Sequence, residues 1–161
     1  MMRMNVDFKM PLIAVKDIEV SKNFYKDLFG QEVVLDFGEN VTLSGGFSLQ
    51  EDFARIGRLP EEPTYDKCYN MELYFDVDDF EGFMEKLNAF PDVERVHPPV
   101  KYDWQQRSIK IFDPDGHLIE VGESMPVIVR RCLSEGKTPE ETAAIIMHPL
   151  EFVLAVRDGK I

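Results

Sequence analysis

The chain has 161 residues, with 30 Asp and Glu against 18 Lys and Arg, for a formal net charge of −12. A surface this acidic repels phosphate backbones, which excludes a general nucleic-acid binder. No apolar run approaches the ~18 residues of a membrane span. The two cysteines, Cys68 and Cys132, lie too far apart in sequence for a thiolate cage and imply no disulfide framework. They suit a reducing, cytoplasmic setting. The N-terminal stretch Met1-Met2-Arg3-Met4-Asn5-Val6-Asp7 carries charge inside any would-be apolar segment, so no signal peptide is expected.

In chain order, residues 8–15 form a strand, and Asp17 is the N-cap of a helix with Val20, Phe24 and Leu28 at helical spacing, stopped by Gly30. Residues 31–37 are β-rich and residues 41–44 form a further strand. Gly45-Gly46 then turns the chain into a strand over 47–50. Residues 51–69 are a linker containing the turn-rich Leu59-Pro60-Glu61-Glu62-Pro63. The β-α-β-β-β order then repeats. A strand over 71–77 leads to a helix with one face marked by Phe80, Phe83, Met84 and Leu87. Strands follow over 93–96 and 107–112, then the tight turn Asp113-Pro114-Asp115-Gly116 and a last strand over 117–121. Internal matches support a duplication. Ile13-Ala14-Val15-Lys16-Asp17 is echoed by Phe75-Asp76-Val77-Asp78-Asp79, 62 positions later. Gly46-Phe47-Ser48-Leu49-Gln50 is echoed by Gly116-His117-Leu118-Ile119-Glu120, 70 positions later, so the second copy holds a longer internal loop.

The tail from Ser124 has a different pattern. A helix runs through Val127, Val129, Cys132 and Leu133 to Glu135-Gly136. Thr138-Pro139-Glu140-Glu141 has the residues of a capping box, and a break at His148-Pro149 precedes a last helix. This arrangement resembles a helix-turn-helix module, but Arg130, Arg131, Lys137, Arg157 and Lys160 are balanced by Glu135, Glu140, Glu141, Glu151 and Asp158. Without a basic face the tail is expected to pack or dimerise rather than bind DNA. The fold class is therefore α+β: tandem βαβββ modules, about 6–52 and 70–123, forming a domain over 1–123, with a C-terminal helical extension over 124–161.

Strand alternation separates two faces. Met71, Leu73, Phe75 and Val77 should pack on a helix, with Glu72, Tyr74 and Asp76 on the other side. Ile119 and Val121 likewise oppose Leu118 and Glu120. Taken with the first copy, Met10, Gln50, Glu72 and Glu120 fall at four matching positions on the face away from the helices. If the two modules pair, that face is a cleft. Carboxylates there are costly unless paired, protonated or metal-bound. With a Gln they suit a hard or borderline divalent cation, or proton transfer at a small acidic substrate.

These residues carry a family resemblance. Val15-Lys16-Asp17 with Ser21, Phe24-Tyr25 and Leu28-Phe29-Gly30 resembles the opening motif of the vicinal oxygen chelate superfamily, the group of glyoxalases, bleomycin-resistance proteins and dioxygenases. Asp113-Pro114-Asp115-Gly116-His117-Leu118-Ile119-Glu120 resembles its closing motif, and Trp104-Gln105-Gln106-Arg107 is similar to a run in the glyoxalase-like branch. The resemblance covers residues 8–123 and implies paired βαβββ modules, usually in a homodimer. It also implies one divalent metal ion (Ni, Zn, Co or Mn) held by Gln50, Glu72 and Glu120. Met10 departs from the expected ligand types, since a thioether suits these ions poorly. Two functions follow from the resemblance. One is a glyoxalase I-like, metal-assisted lyase or isomerase in which Glu120 and Glu72 move a proton next to a carbonyl. The other is a metal-free protein of the bleomycin-resistance type that sequesters a small molecule. Tyr74, Trp104, Arg107 and Met10 are the expected substrate-binding residues in either case. His97, His117 and His148 fall on no ligand position and are expected to be structural.

Overall fold

The computed structural model describes residues 4–161. Residues 1–3, at the head of the stretch expected not to be a signal peptide, lie outside the described residues. The chain forms two compact units. One holds the chain up to Lys67 together with Asp113–Gly116, and the other holds Cys68–Phe112 with His117–Ile161.

The first unit contains β1 (Leu12–Ala14), α1 (Ile18–Phe29), β2 (Val33–Asp36), β3 (Asn40–Leu43), β4 (Ser48–Gln50) and the short α2 (Phe53–Gly57). Its sheet has the order β1-β4-β3-β2, with β1 parallel to β4 and the other pairs antiparallel. Helix α1 starts where Asp17 Oδ1 accepts the amides of Glu19 and Val20. It ends where Gly30 takes the left-handed conformation, φ 63°, which costs glycine little. The buried stripe of α1 is Ile18, Ser21, Tyr25 and Leu28, so the expected stripe is rotated and Val20 is half exposed. Polar bonds set this rotation. The Tyr25 hydroxyl donates to Asp113 Oδ2 at 2.7 Å and Ser21 Oγ donates to Asp115 Oδ2 at 3.2 Å. Asp115 also accepts the Lys16 amide at 3.2 Å. Burial, together with Asp113 and Asp115, pushes the Tyr25 phenol pKa well above its usual value and keeps it a donor. The opening and closing motifs are thus hydrogen-bond partners, and their role in this chain is structural.

The second unit contains β5 (Leu73–Val77), α3 (Phe80–Asn88), β6 (Val100–Lys101), β7 (Arg107–Phe112), β8 (Leu118–Glu123), α4 (Met125–Ser134), α5 (Pro139–Ile146) and α6 (Leu150–Arg157). Its sheet order, β5-β8-β7-β6, repeats that of the first unit, as a duplication requires. Ile109, Ile111, Ile119 and Val121 are fully buried on the side toward α3. The tail helices share their own core of Ile128, Val129, Cys132, Ile146, Val153 and Val156. Each such aliphatic side chain contributes about 1.5–3 kcal/mol by burial. The capping box at Thr138 and Glu141 forms reciprocally, with Pro139 in the first turn of α5.

Three expectations are corrected. The segment 93–96 is not a strand: Arg95 makes an isolated bridge to Ile111, flanked by Val96 N to Lys110 O and Phe112 N to Glu94 O. Pro98 and Pro99 supply no amide hydrogens, so pairing stops and resumes only at β6, an edge position where such a break is tolerated. The linker holds a short helix, α2. The repeat register also slips. Ala14 pairs with Gln50 and Tyr74 with Glu120, so Leu12, not Met10, occupies the position matching Glu72. The slip arises between strand and helix. Ala14 precedes its N-cap Asp17 by three residues, whereas Tyr74 precedes Asp79 by five.

Candidate functional site

The chemistry concentrates on the face of the second unit's sheet opposite α3. Antiparallel β7 and β8 set Lys110 opposite Glu120, and parallel β5 sets Tyr74 on its other side. The Lys110 ammonium lies 2.7 Å from Glu72 Oε2 and 2.8 Å from Glu120 Oε2. Glu120 Oε1 accepts from Ser108 Oγ at 2.6 Å and from the Tyr102 hydroxyl at 3.2 Å. Burial pushes the Glu120 pKa up, but the bonds from Lys110 and Ser108 outweigh it and hold the carboxyl below its ordinary value. Burial likewise disfavours the charged form of Lys110, yet Glu120 and Glu72 keep its pKa raised.

Beside this cluster lies an aromatic one. Tyr102 and Trp104 stack with centroids 4.3 Å apart and planes at 15°. Both sit on the β6–β7 hairpin, closed by Tyr102 N to Gln106 O and Gln105 N to Tyr102 O. Gln105 is left-handed at φ 73°, an uncommon conformation for a residue with a Cβ. Arg131 of α4 holds it by donating to its carbonyl at 2.9 Å. The Trp104 indole donates to Gln106 Oε1 at 2.9 Å, while Gln106 Nε2 donates to the Tyr74 hydroxyl at 2.8 Å and to the Glu123 carbonyl at 2.9 Å. Gly122 makes room for this chain, since a Cβ there would lie 2.6 Å from Gln106 Nε2 and 2.7 Å from the Tyr74 oxygen. Because the Tyr74 hydroxyl accepts from Gln106, its own proton is free to be donated elsewhere. Burial raises its pKa and the Gln106 bond lowers it; Asp76, Glu120 and Glu72 add to the rise, so it stays protonated.

Tyr74, Trp104 and Gln106 line an open pocket of about 370 Å³ together with Met125 and the α5–α6 corner Ile146-Met147-His148 of the tail. This volume lies within the usual range for small-molecule pockets.

Of the expected site residues, Glu72, Tyr74, Trp104 and Glu120 share this face. Arg107 does not. It lies on the helix side, stacked over Phe80 at 5.2 Å, paired with Glu81 and 2.8 Å from buried Glu123. Strand alternation dictates this, since Arg107 has the parity of Ile109 and Ile111. Glu123 takes a second guanidinium from Arg131. Gln50 and Met10 belong to the first unit. The Gln50 amide donates to the carbonyls of Glu39 and Glu51 and its Oε1 accepts from Asn40 at 2.8 Å, so it fastens strand ends. The Met10 sulfur accepts from Ser48 Oγ at 3.0 Å. Lys110, Ser108, Tyr102, Gln106 and His148 were missed as site residues. Parity with Glu120 across a hairpin could have found Lys110 and Ser108, whereas no local signal marks His148.

The donor set does not fit the implied divalent metal. The position between Glu72 and Glu120 is taken by the Lys110 ammonium, and a second cation there would meet like charge in a half-dry setting. Among the described residues, no group of three or more His, Cys, Asp or Glu side chains could hold a metal ion.

Two units of identical βαβββ topology, each sheet ordered first-last-third-second, define the paired-module class of glyoxalase-type proteins. A glyoxalase-like domain family matches residues 8–126, and the chain belongs to that family. A protein of unknown function from Agrobacterium tumefaciens str. C58 is similar at 36% identity, over 76% of this chain and 98% of that one, with a TM-score of 0.65. The fold is shared with a fosfomycin resistance protein, FosX, from Mesorhizobium loti at 19% identity, over 76% of this chain and 95% of that one, TM-score 0.56. It is shared too with a glyoxalase/bleomycin resistance protein/dioxygenase family enzyme from Burkholderia phytofirmans PsJN at 16% identity, over 73% and 98%, TM-score 0.61. No curated protein matches the chain.

Proposed function

We propose that the chain is a small-molecule-binding protein of the bleomycin-resistance type, whose site is the face of the second unit's sheet opposite α3 and which binds its ligand without a divalent metal. The observation that carries this reading is the Lys110 ammonium bonded to both Glu72 and Glu120. The internal cation neutralises part of the charge a metal would otherwise be recruited to neutralise. A glyoxalase I-type proton transfer calls for a base whose pKa lies near neutrality. Glu120 is instead held below the ordinary carboxylate value, its burial outweighed by the bonds from Lys110 and Ser108, which weakens it as a base. The aromatic hairpin and the adjoining cavity are suited to holding a ligand.

Titration with Ni, Zn, Mn and Co, with elemental analysis of the purified protein, tests the reading. The expected result is no stoichiometric uptake. One equivalent of metal in the wild type, lost in Glu120→Gln, would overturn it and restore the lyase reading. We further propose a homodimer, supported by Val34 and Leu35 on edge strand β2, each more than half exposed, beside exposed Phe37. No helix among the described residues is long and apolar enough to cross a membrane, and unpaired Cys68 and Cys132 suit the reducing cytoplasm.

A further inference from the structure

The family match ends at residue 126, at the start of α4, yet the cavity is completed by residues twenty positions beyond it. Building on the binding function above, we propose that the α5–α6 corner of the C-terminal extension is part of the ligand site, and that the site takes a flat, cationic aromatic molecule seated against Trp104 and Met147-His148.

Three independent features of the corner support this. Met147 is left-handed at φ 57°, at a C-cap where Gly or Asn would be the economical choice, and its side chain is 68% exposed. Backbone strain and an exposed apolar side chain at one position are tolerated most readily where the side chain has work to do. A thioether is soft and adaptable against aromatic rings, and Met147 lines the same cavity as Trp104. His148 is fixed by its neighbours. Nδ1 lies 2.9 Å from the Ile146 carbonyl, which can only accept, so Nδ1 carries a proton and the neutral ring has an unprotonated Nε2. The ring also packs on Phe152, with centroids 5.0 Å apart.

Charge selects the class of ligand. Glu72, Asp76 and Glu120 all act on the Tyr74 hydroxyl at the cavity wall, and the single cation among these groups on the face is Lys110. The nearby Arg107 and Arg131 are spent on Glu81 and Glu123. The face is therefore net negative and lined by aromatic rings, a combination that favours cations by field and by ring quadrupole. The −12 charge of the chain draws such ligands in the same direction.

Trp104 is the single tryptophan, so its indole N–H gives one resolved signal in a nitrogen–proton NMR spectrum. Proflavine, a flat cation, is titrated into the whole protein in the presence of a chelator, with 2-naphthoate as a flat anion for comparison. The expected result is a saturable proflavine shift of the Trp104 indole together with the amides of Met147 and His148, and naphthoate binding at least about tenfold weaker. Met147→Gly relieves the strained φ while removing the thioether. It should leave thermal stability unchanged or raised and weaken proflavine at least about fivefold. His148→Phe keeps a ring and removes the nitrogens, and should also weaken it. No saturable shift at Trp104 overturns the site. A shift at Trp104 with residues 146–148 silent and Met147→Gly binding normally overturns the role of the tail, and equal naphthoate affinity overturns the charge selection. Because chelator is present, stoichiometric metal uptake in the separate titration would overturn metal independence without altering these outcomes.

Discussion

Lys110→Met tests the electrostatic logic of the site at its centre. The ammonium contacts two carboxylates at 2.7 and 2.8 Å, its side chain is 22% exposed, and that of Glu120 is 11% exposed. At an effective dielectric near 20 a pair about 4 Å apart gains about 4 kcal/mol before desolvation is charged against it. Exposed pairs retain about 0–1 kcal/mol, and stripping one partner from a buried pair costs about 3–5. The setting of Lys110 is intermediate, so the substitution should cost about 2 kcal/mol at pH 7, or about 4–8 °C in Tm for a chain of this size. The pH dependence is more diagnostic. In the wild type the folded Glu120 pKa lies below its unfolded value, so its stabilisation is present above the ordinary carboxyl pKa of 4.5 and is lost as pH falls through the folded value. Without Lys110 the strongest of the bonds that oppose burial is gone, so the folded Glu120 pKa moves up from its wild-type position. Protonation then costs the variant less than the wild type, and the deficit against wild type should shrink as pH is lowered from 7 toward 4. Thermal melts of both proteins across that range measure it, and millimolar Mn2+ should recover part of the variant's loss by entering the vacated position. A deficit that is flat with pH, or absent at pH 7, would refute the shared-cation argument.

Two further substitutions separate the faces of the same sheet. Gly122→Ala places a methyl against Gln106 Nε2 and the Tyr74 oxygen, and should cost about 1–3 kcal/mol in urea unfolding while shifting Trp104 emission as its Gln106 partner is displaced. Unchanged stability together with unchanged emission would show that the Gln106 chain is not held as described. Arg107→Ala removes one of two guanidinium groups from Glu123 and should destabilise by about 1–3 kcal/mol. Because Arg107 is on the helix side, proflavine affinity should stay within about twofold of wild type at a temperature where the variant is folded. A large loss of affinity would return Arg107 to the binding face.

Much of the fold is legible in sequence because local chemistry determines it. Asp17, Gly30, Thr138 and Glu141 act where their capping groups predict, and the alternation in β5 and β8 places Glu72, Tyr74 and Glu120 on one face. Some of the failures arise because the deciding interaction is remote in sequence. The rotation of α1 depends on Asp113 and Asp115, some ninety residues away. The two-residue slip that displaces Met10 depends on loop length between strand and N-cap, which hydrophobic period does not report. Arg107 is expected among the substrate-binding residues, but its parity with Ile109 and Ile111, readable in the sequence, places it on the helix side. His148 enters the site through the packing of three tail helices, and its local sequence, a residue before a proline, indicates only a break.

The duplication also explains why neither half offers a free ligand oxygen at the position where this family resemblance implies one. In both units the last strand carries the acceptor and the antiparallel neighbour carries a donor directly opposite: Asn40 across from Gln50, Lys110 across from Glu120. In the first unit the pair is neutral and short-ranged, an amide donating to an amide at 2.8 Å, and both Gln50 N–H groups go to backbone carbonyls. In the second, one cation is shared between two carboxylates, and Ser108 and Tyr102 add two donors to Glu120. The same backbone geometry thus yields a structural clamp in one half and a charged surface in the other. What distinguishes them is residual charge. The first pair carries no net charge, whereas the second leaves an uncompensated negative charge beside Tyr102, Trp104 and Tyr74. An internal donor of this kind keeps the partly buried carboxylates ionised, and the leftover charge is what the proposed selection of a cation draws on.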